Sequence, residues 1–460
     1  MPYKSDFPPV EIANEPYPPR LLSALWEHFS ECPERIALIN SKEPNTDFVT
    51  FGELYVFSLA TAAFLQNRGF LFGDVACLVM QNCWEYVPIF AGIGLQGGAT
   101  SGANPYFTQR ELQYQFNESQ AKIVFCSETC LDNVIGAVKG AQTTIVLVES
   151  GHSKKPLNQN ENQLPFGVIR FGQVLRTEPT IAIEFSLINC RPDKDIILLP
   201  FSSGTTGSPK GVIITHKNIG TMLNILIDHF RNQIHAYMRP TFIEKEENEL
   251  LLLPFFHCYG FCMLQACLLN GSTGLVMAGF EPKLFCETIQ NFKIRLIKTV
   301  PPILVFLAKN QIVSNYDLSS VNVIFSGAAP AGADLCEEKG MPGELLLRGP
   351  TIMLGYLRKP EETKRIINSD GWLRTGDVVF VDNEGFITVL DRLKELIKVN
   401  GLQVAPAELE DLLLSHPDIE DCAVVGISDP MSGELPFGFV VKKEGSSLSE
   451  KDVQEFVKSN

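Results

Sequence analysis

Residues 202–211 read Ser-Ser-Gly-Thr-Thr-Gly-Ser-Pro-Lys-Gly. Two apolar runs bound this stretch, Ile196-Ile-Leu-Leu before it and Val212-Ile-Ile after it, and both read as buried strands. The stretch is therefore a loop at the end of a strand. Gly204, Gly207 and Gly211 allow backbone angles and close approaches that side chains block. Ser202, Ser203, Thr205 and Thr206 supply hydroxyl donors, and Lys210 supplies a cation. A loop of this makeup suits a polyphosphate. It lacks the G-x-x-x-x-G-K-[ST] spacing of the Walker loop. The competing reading, a flexible surface turn, fits poorly between two buried strands.

Outward from the loop, helical and strand patterns alternate. Residues 54–67 and 84–94 read as helices, and 74–80, 121–126 and 143–148 as buried strands. Residues 149–165 are polar and read as a surface loop. After the loop come a helix over 217–231 and strands over 295–300 and 321–325. This rhythm belongs to parallel α/β sheets with helices on both faces. From Gly343 the pattern shortens to β elements, with a strand over 344–348 and a hairpin turn over 382–385. From about Lys394 the order reads β-α-β-β-α, with Pro406 in the first turn of a helix over 407–415 and Ser449 capping the last helix.

The chain has 460 residues, 38 Lys and Arg against 53 Asp and Glu, and a net charge of −15. Such length calls for more than one domain. A broad nucleic-acid or anionic-membrane surface needs clustered positive charge, which this balance argues against. The twelve cysteines form no C-x-x-C pair, and most read as reduced and buried. Seven scattered histidines predict no metal centre. Residues 250–270 carry no formal charge, but Pro254, His257 and Gly260 interrupt them, so they read as a buried core segment and not as a transmembrane one.

Four more motifs follow the loop in order. They are Pro254-Phe-Phe-His-Cys-Tyr-Gly, Ser326-Gly-Ala-Ala-Pro, Trp372-Leu-Arg-Thr-Gly-Asp and Asp391-Arg-Leu-Lys-Glu-Leu-Ile-Lys-Val-Asn-Gly. Together the five resemble the adenylate-forming superfamily of acyl- and aryl-CoA synthetases and beetle luciferases, with wording nearest the 4-coumarate–CoA ligase-like and luciferase-like members. The resemblance runs over residues 18–441 and implies a large N-terminal domain of two stacked parallel α/β subdomains plus a small β-barrel subdomain. A partial α+β C-terminal cap would follow. The implied boundaries are 1–390 for the AMP-binding domain, 391–394 for a hinge and 395–460 for the cap.

The resemblance also implies an activity. A carboxylate attacks the α-phosphate of ATP, and the CoA thiol then displaces AMP from the acyl-adenylate, with ATP, Mg²⁺ and coenzyme A as partners of a small-molecule acid, aryl or fatty. Ser202, Ser203, Gly204, Thr205, Thr206, Gly207 and Lys210 would bind ATP phosphates, Asp377 the ribose, and Arg392 ribose or phosphate. His257 would abut the carboxylate, while Tyr259, Gly327 and Ala328 would shape the acyl pocket. Lys394 marks the hinge, Lys398 and Gln403 face the thioester-forming site, and pantetheine passes Gly401. The bland readings are a satisfied core histidine for His257, a turn residue for Asp377, a structural ion pair for Arg392 and a solvated strand lysine for Lys398. A cytoplasmic or peroxisomal enzyme is implied, though residues 456–460 carry no S-K-L-type signal.

Two departures stand against the family pattern. Only residues 331–342 separate Gly-Ala-Ala-Pro from Gly343-Glu-Leu, where the family places several dozen residues and a Tyr-Gly-x-Thr-Glu motif. The family's C-terminal Pro-Lys-[Ser/Thr]-x-Ser-Gly-Lys pattern is also not found. These motivate an alternative, a catalytically inactive or impaired isoform that keeps the nucleotide- and acyl-binding motifs.

Overall fold

The structure, a computed structural model, describes residues 7–151, 153–154, 164–179, 189–202, 208–327, 343–381, 387–392, 397–400, 402–404 and 406–459. Two sheets and the helices between them form its larger part. One sheet has strand order Asn248–Leu251, Thr273–Val276, Ile36–Asn40, Phe48–Thr50. The other runs Gly355–Tyr356, Lys210–Thr215, Ile196–Leu198, Ala99–Ala103, Val75–Val79, Ala121–Ser127, Thr144–Val148, Val168–Arg170, with Phe201–Ser202 pairing beside Lys210. From Ile196–Leu198 to Val168–Arg170 the strands are parallel. Lys210–Thr215 runs antiparallel to all its neighbours, so the sheet is mixed.

Local sequence explains the layer between. Helix Phe51–Asn67 starts on a capping box, in which Glu53 N–H donates to the Thr50 hydroxyl at 3.1 Å and the Thr50 N–H to the Glu53 carboxylate at 2.9 Å. Helix Tyr86–Leu95 is apolar all round and wholly buried. With Tyr17–Glu31 and Cys258–Asn270 these helices share one apolar core that includes Leu38, Leu251 and Val276 of the first sheet. The same core holds Leu78, Phe125 and Val146 of the second. Residues 250–270 thus split into a strand and a buried helix, and no helix among the described residues is long and apolar enough to cross a membrane.

The remaining sheets are small. Leu296–Thr299 and Val323–Ser326 form a parallel pair. Gly343–Leu347, Leu373–Val381 and Ile387–Arg392 form an antiparallel sheet, and the hairpin turn expected at 382–385 lies outside the described residues. The C-terminal unit orders its strands Leu402–Val404, Ile397–Val399, Gly433–Lys442, Ile419–Asp429, with helices Pro406–Leu414 and Glu450–Ser459. This corrects the β-α-β-β-α reading, because two short strands precede the first helix. Asn400 turns the chain at φ 51°, a left-handed conformation that Asn tolerates, and Ile397–Val399 folds back on Leu402–Val404. Ser449 caps the last helix as read, accepting from Asp452 N–H at 3.3 Å.

A second correction concerns the polar stretch after Val148. Ser153 does not sit on the surface; it is 3% exposed and donates to Glu85 at 2.9 Å. A carboxylate buried at the start of helix Tyr86–Leu95 draws the hydroxyl inward, since a buried polar group without a partner is costly. Residues 155–163 of that stretch lie outside the described residues.

Candidate active site

The loop that decided the reading closes a hairpin. Ser202 faces Lys210 and Phe201 faces Gly211 across antiparallel strands, so residues 203–209 connect them. Ser203, Gly204, Thr205, Thr206 and Gly207 themselves lie outside the described residues. The flanks are firmly held. Leu199 N–H donates to Thr100 O at 2.9 Å, the Ser101 hydroxyl donates to Leu199 O at 2.8 Å, and the Tyr114 hydroxyl donates to Pro209 O at 2.9 Å. Gly211 is closely packed, and a Cβ there would press on Leu199 Cδ1 at 3.2 Å and Phe201 Cε2 at 3.3 Å.

Lys210 is not a solvent-facing cation. It is 6% exposed, its ammonium pairs with Glu362, and the Tyr356 ring centroid lies 5.6 Å away. Glu362 stands in helix Pro360–Ile366, and Tyr356 pairs with Val212 on the strand that follows Lys210.

The histidine motif meets the same sheet one residue along. Gly102 packs against Phe256, whose Cα a Cβ on residue 102 would approach to 2.9 Å. His257 is the N-cap of helix Cys258–Asn270, and its Nδ1 accepts from Tyr259 N–H at 3.3 Å. Cys258 Sγ lies 3.9 Å from the same nitrogen. The Cys258 thiol beside it raises the His257 pKa above its ordinary value, with burial working the other way. Tyr259 reaches Gly327, where a Cβ would stand 3.2 Å from Cε1. Burial pushes the Tyr259 phenol up to about 12, and its hydroxyl has no hydrogen-bond partner among the described residues. Gly327 N–H donates to Thr299 O at 3.1 Å, which fixes the wall; Ala328 lies outside the described residues.

A continuous chain of contacts thus links three motifs that are distant in sequence. It runs from Leu199 at the loop's base through Ser101 and Gly102 to Phe256 and His257, and on through Tyr259 to Gly327.

The family profile described as AMP-binding enzyme matches residues 25–339, more than half the chain, and that described as AMP-binding enzyme C-terminal domain matches residues 408–460. The chain belongs to the AMP-binding enzyme family. It is 32% identical to 4-coumarate–CoA ligase 1 of Arabidopsis thaliana over 518 aligned residues, covering 99% of this chain and 89% of that protein. That alignment is longer than the chain's 460 residues, so it bridges stretches of the relative with no counterpart here. Among solved structures, an o-succinylbenzoate–CoA synthetase double mutant from Bacillus subtilis superposes with TM-score 0.76 at 22% identity, covering 97% of this chain and 92% of that one. The red-emitting luciferase of Phrixothrix hirtus superposes with TM-score 0.68 at 25% identity, covering 98% and 90%.

The later family motifs sit on the small sheets. Asp377 and Arg392 are cross-strand partners on Leu373–Val381 and Ile387–Arg392, so register brings the two expected ribose and phosphate residues opposite each other. Asp377 N–H donates to the Thr375 hydroxyl at 3.0 Å, which in turn donates to Leu345 O at 2.9 Å. Lys398 and Gln403 are likewise direct partners across the Asn400 hairpin, and Lys398 N–H donates to Glu434 at 2.7 Å. Lys394 and Gly401 lie outside the described residues. Sequence reading missed Tyr114, Tyr356 and Glu362, which carry no local motif. Glu362 is 152 positions from Lys210, and only the fold reveals that they meet.

Proposed function

We propose that this AMP-binding family member is an ATP-dependent acid–CoA ligase, joining an aryl or fatty acid to coenzyme A through an acyl-adenylate. The observation that carries the reading is the contact chain from the loop's base through the histidine motif to Gly327, which brings three of the family's motifs together. In the first half-reaction, the acid's carboxylate oxygen attacks the α-phosphorus of ATP and pyrophosphate leaves. The hydroxyls of Ser202, Ser203, Thr205 and Thr206 would steady the phosphates, Asp377 would accept ribose hydroxyl protons, and Arg392 would offset phosphate charge. His257, charged more readily than a free imidazole, would stabilise the carboxylate's developing acyl phosphate. Tyr259, Gly327 and Ala328 would bound the acyl chain. In the second half-reaction, after movement about Lys394, the CoA thiol attacks the acyl carbon and AMP leaves, with Lys398, Gln403 and Gly401 on the thioester-forming face. Mg²⁺ would enter as the companion of ATP, part of the substrate.

The likeness to 4-coumarate–CoA ligases over nearly the whole chain supports this reading. The test is pyrophosphate release by the purified chain with Mg-ATP and a panel of aromatic and fatty acids, followed by thioester detection with CoA. Acid-dependent release and a CoA thioester are expected. A cooperatively folded chain that releases no pyrophosphate with any acid overturns the ligase in favour of the isoform.

A further inference from the structure

Both ends of the phosphate loop are held by one corner of the fold. At its exit, Lys210 is buried, paired with Glu362 and set 5.6 Å from the Tyr356 ring. At its entry, the Tyr356 phenol hydrogen-bonds Ser202. The corner is itself tied to the strand that leaves the loop. Leu357 N–H donates to Gly211 O at 2.8 Å and Leu354 N–H to Ile213 O at 3.0 Å. Tyr356 N–H donates to the Thr363 hydroxyl at 2.9 Å, which donates to Lys359 O at 3.0 Å, and so docks helix Pro360–Ile366 on Tyr356.

A buried ammonium is tolerated only where a carboxylate neutralises it, and removing one partner leaves the other charge uncompensated. Lys210 therefore has its charge committed to Glu362. A cation in that state adds little attraction for a polyphosphate. What it adds is a fixed strand on which the seven-residue connection 203–209 begins and ends in register.

We propose that Glu362 is a positioning residue for the ATP-dependent step: acting through Lys210, with Tyr356 as the brace between the loop's two ends, it fixes the phosphate loop, and Lys210 serves as an anchor in place of a phosphate ligand. This rests on the ligase reading above. It revises the phosphate-binding role that the family resemblance implied for Lys210 and adds two residues, Glu362 and Tyr356, that no motif pointed to.

The test is a double-mutant cycle on the full chain with Lys210→Met, Glu362→Gln and both together, reading KM and kcat for ATP and KM for the acid in pyrophosphate release. Each single variant is expected to lower kcat/KM for ATP about tenfold or more, as small misplacements of binding groups do, with the acid's KM within about twofold. The double variant is expected within about threefold of the worse single, because both remove one interaction. Glu362→Asp should recover part of the loss. Losses that multiply in the double variant overturn the proposal, as does improved ATP use by Glu362→Gln, which would mean that the freed lysine reaches phosphate. Should either charge variant fail to melt cooperatively, Tyr356→Phe keeps the ring and the ion pair and removes only the bond to Ser202. It is expected to raise KM for ATP about threefold, and an unchanged KM overturns the brace. A wild-type chain without acid-dependent turnover would overturn the ligase reading, and this proposal with it. Turnover with multiplying losses overturns this proposal alone.

Discussion

Glu85→Gln should make the larger domain more stable at pH 8 while changing it little at pH 4.5. Glu85 is fully buried, with Ser153 donating to Oε1 at 2.9 Å. Burial raises its pKa from 4.5 to about 7; a backbone hydrogen bond opposes the rise and Asp47 adds to it. Between those two values the native state keeps a proton that the unfolded chain has lost. The native state then binds more protons, so stability falls as pH rises through this window. The neutral carboxyl's contribution is complete below pH 4.5 and gone above pH 7. At 1.36 kcal/mol per pKa unit, the loss is about 3 kcal/mol. Glutamine has the same shape and stays neutral, so it removes this loss. Its amide needs a new hydrogen-bond acceptor, which shifts the whole comparison by about 1 kcal/mol at every pH and leaves the slope untouched. The assay is urea unfolding of both proteins at pH 4.5 to 8, followed by tryptophan fluorescence, to which Trp84 contributes; it is buried beside Glu85 in sequence and donates to Asp47 at 2.8 Å. The two stability curves should diverge by about 3 kcal/mol across the window. Curves that stay parallel would refute the assignment of a raised pKa to this carboxyl.

Gly211→Val should cost about 1–3 kcal/mol and slow the ATP step, because its Cβ would press on Leu199 and Phe201 at 3.2–3.3 Å and its branches further; chemical unfolding and KM for ATP check it. Gly327→Val should raise KM for bulky acids at least tenfold while leaving KM for ATP unchanged, since the new side chain occupies the space beside Tyr259; a panel of acids of increasing width checks it. Lys398→Ala should leave pyrophosphate release within about threefold of wild type and lower thioester formation about a hundredfold, which separate assays of the two half-reactions resolve. Acid should loosen the anchor of the N-terminal helix at His216. Burial, opposed by Asp195, lowers its pKa to about 4, so the stability it contributes above pH 6.5 is lost as pH falls from 6.5 to 4; His216→Gln flattens that limb in acid unfolding.

The parts of this site that could be read in sequence are those whose signal is local. The loop announces itself because glycines and hydroxyls interrupt two apolar strands, and its flanks fold as those runs require. His257, picked out by its motif, stands at a helix start, and Asp377 and Arg392, each picked out by its own motif, face each other across two strands, a pairing that no short pattern announces. Lys210 could not be read this way. Nothing in Ser-Pro-Lys-Gly says whether its ammonium faces a phosphate or a carboxylate, because the deciding residue is contributed by a helix 150 positions later. Ser153 failed for a related reason: a polar run predicts surface, yet one buried carboxylate is enough to recruit one hydroxyl from it. The extra cap strand was missed because three residues are too few to show alternation, and the turn that reverses them rests on a single left-handed Asn400.

The departures from the family pattern have a physical counterpart at Val323–Ser326. Among the described residues this strand pairs only with Leu296–Thr299, and Ile324 is 43% exposed. An apolar side chain on an edge strand is a surface that proteins usually cover or pair. The contact chain on which the proposed adenylation rests ends at Gly327, one residue beyond that strand, and each of its links precedes the shortened stretch. Glu362 and Tyr356 come after the shortened stretch, yet they reach back to clamp the loop through Lys210, Ser202 and the strand Lys210–Thr215. The shortened connection therefore lies between two parts of one site that hold each other by direct contact, without needing the intervening chain to hold them together. That arrangement lets the contacts argued for the proposed ligase stand on both sides of the shortened stretch. It also makes the Lys210–Glu362 pair the point at which the site's two halves depend on one another.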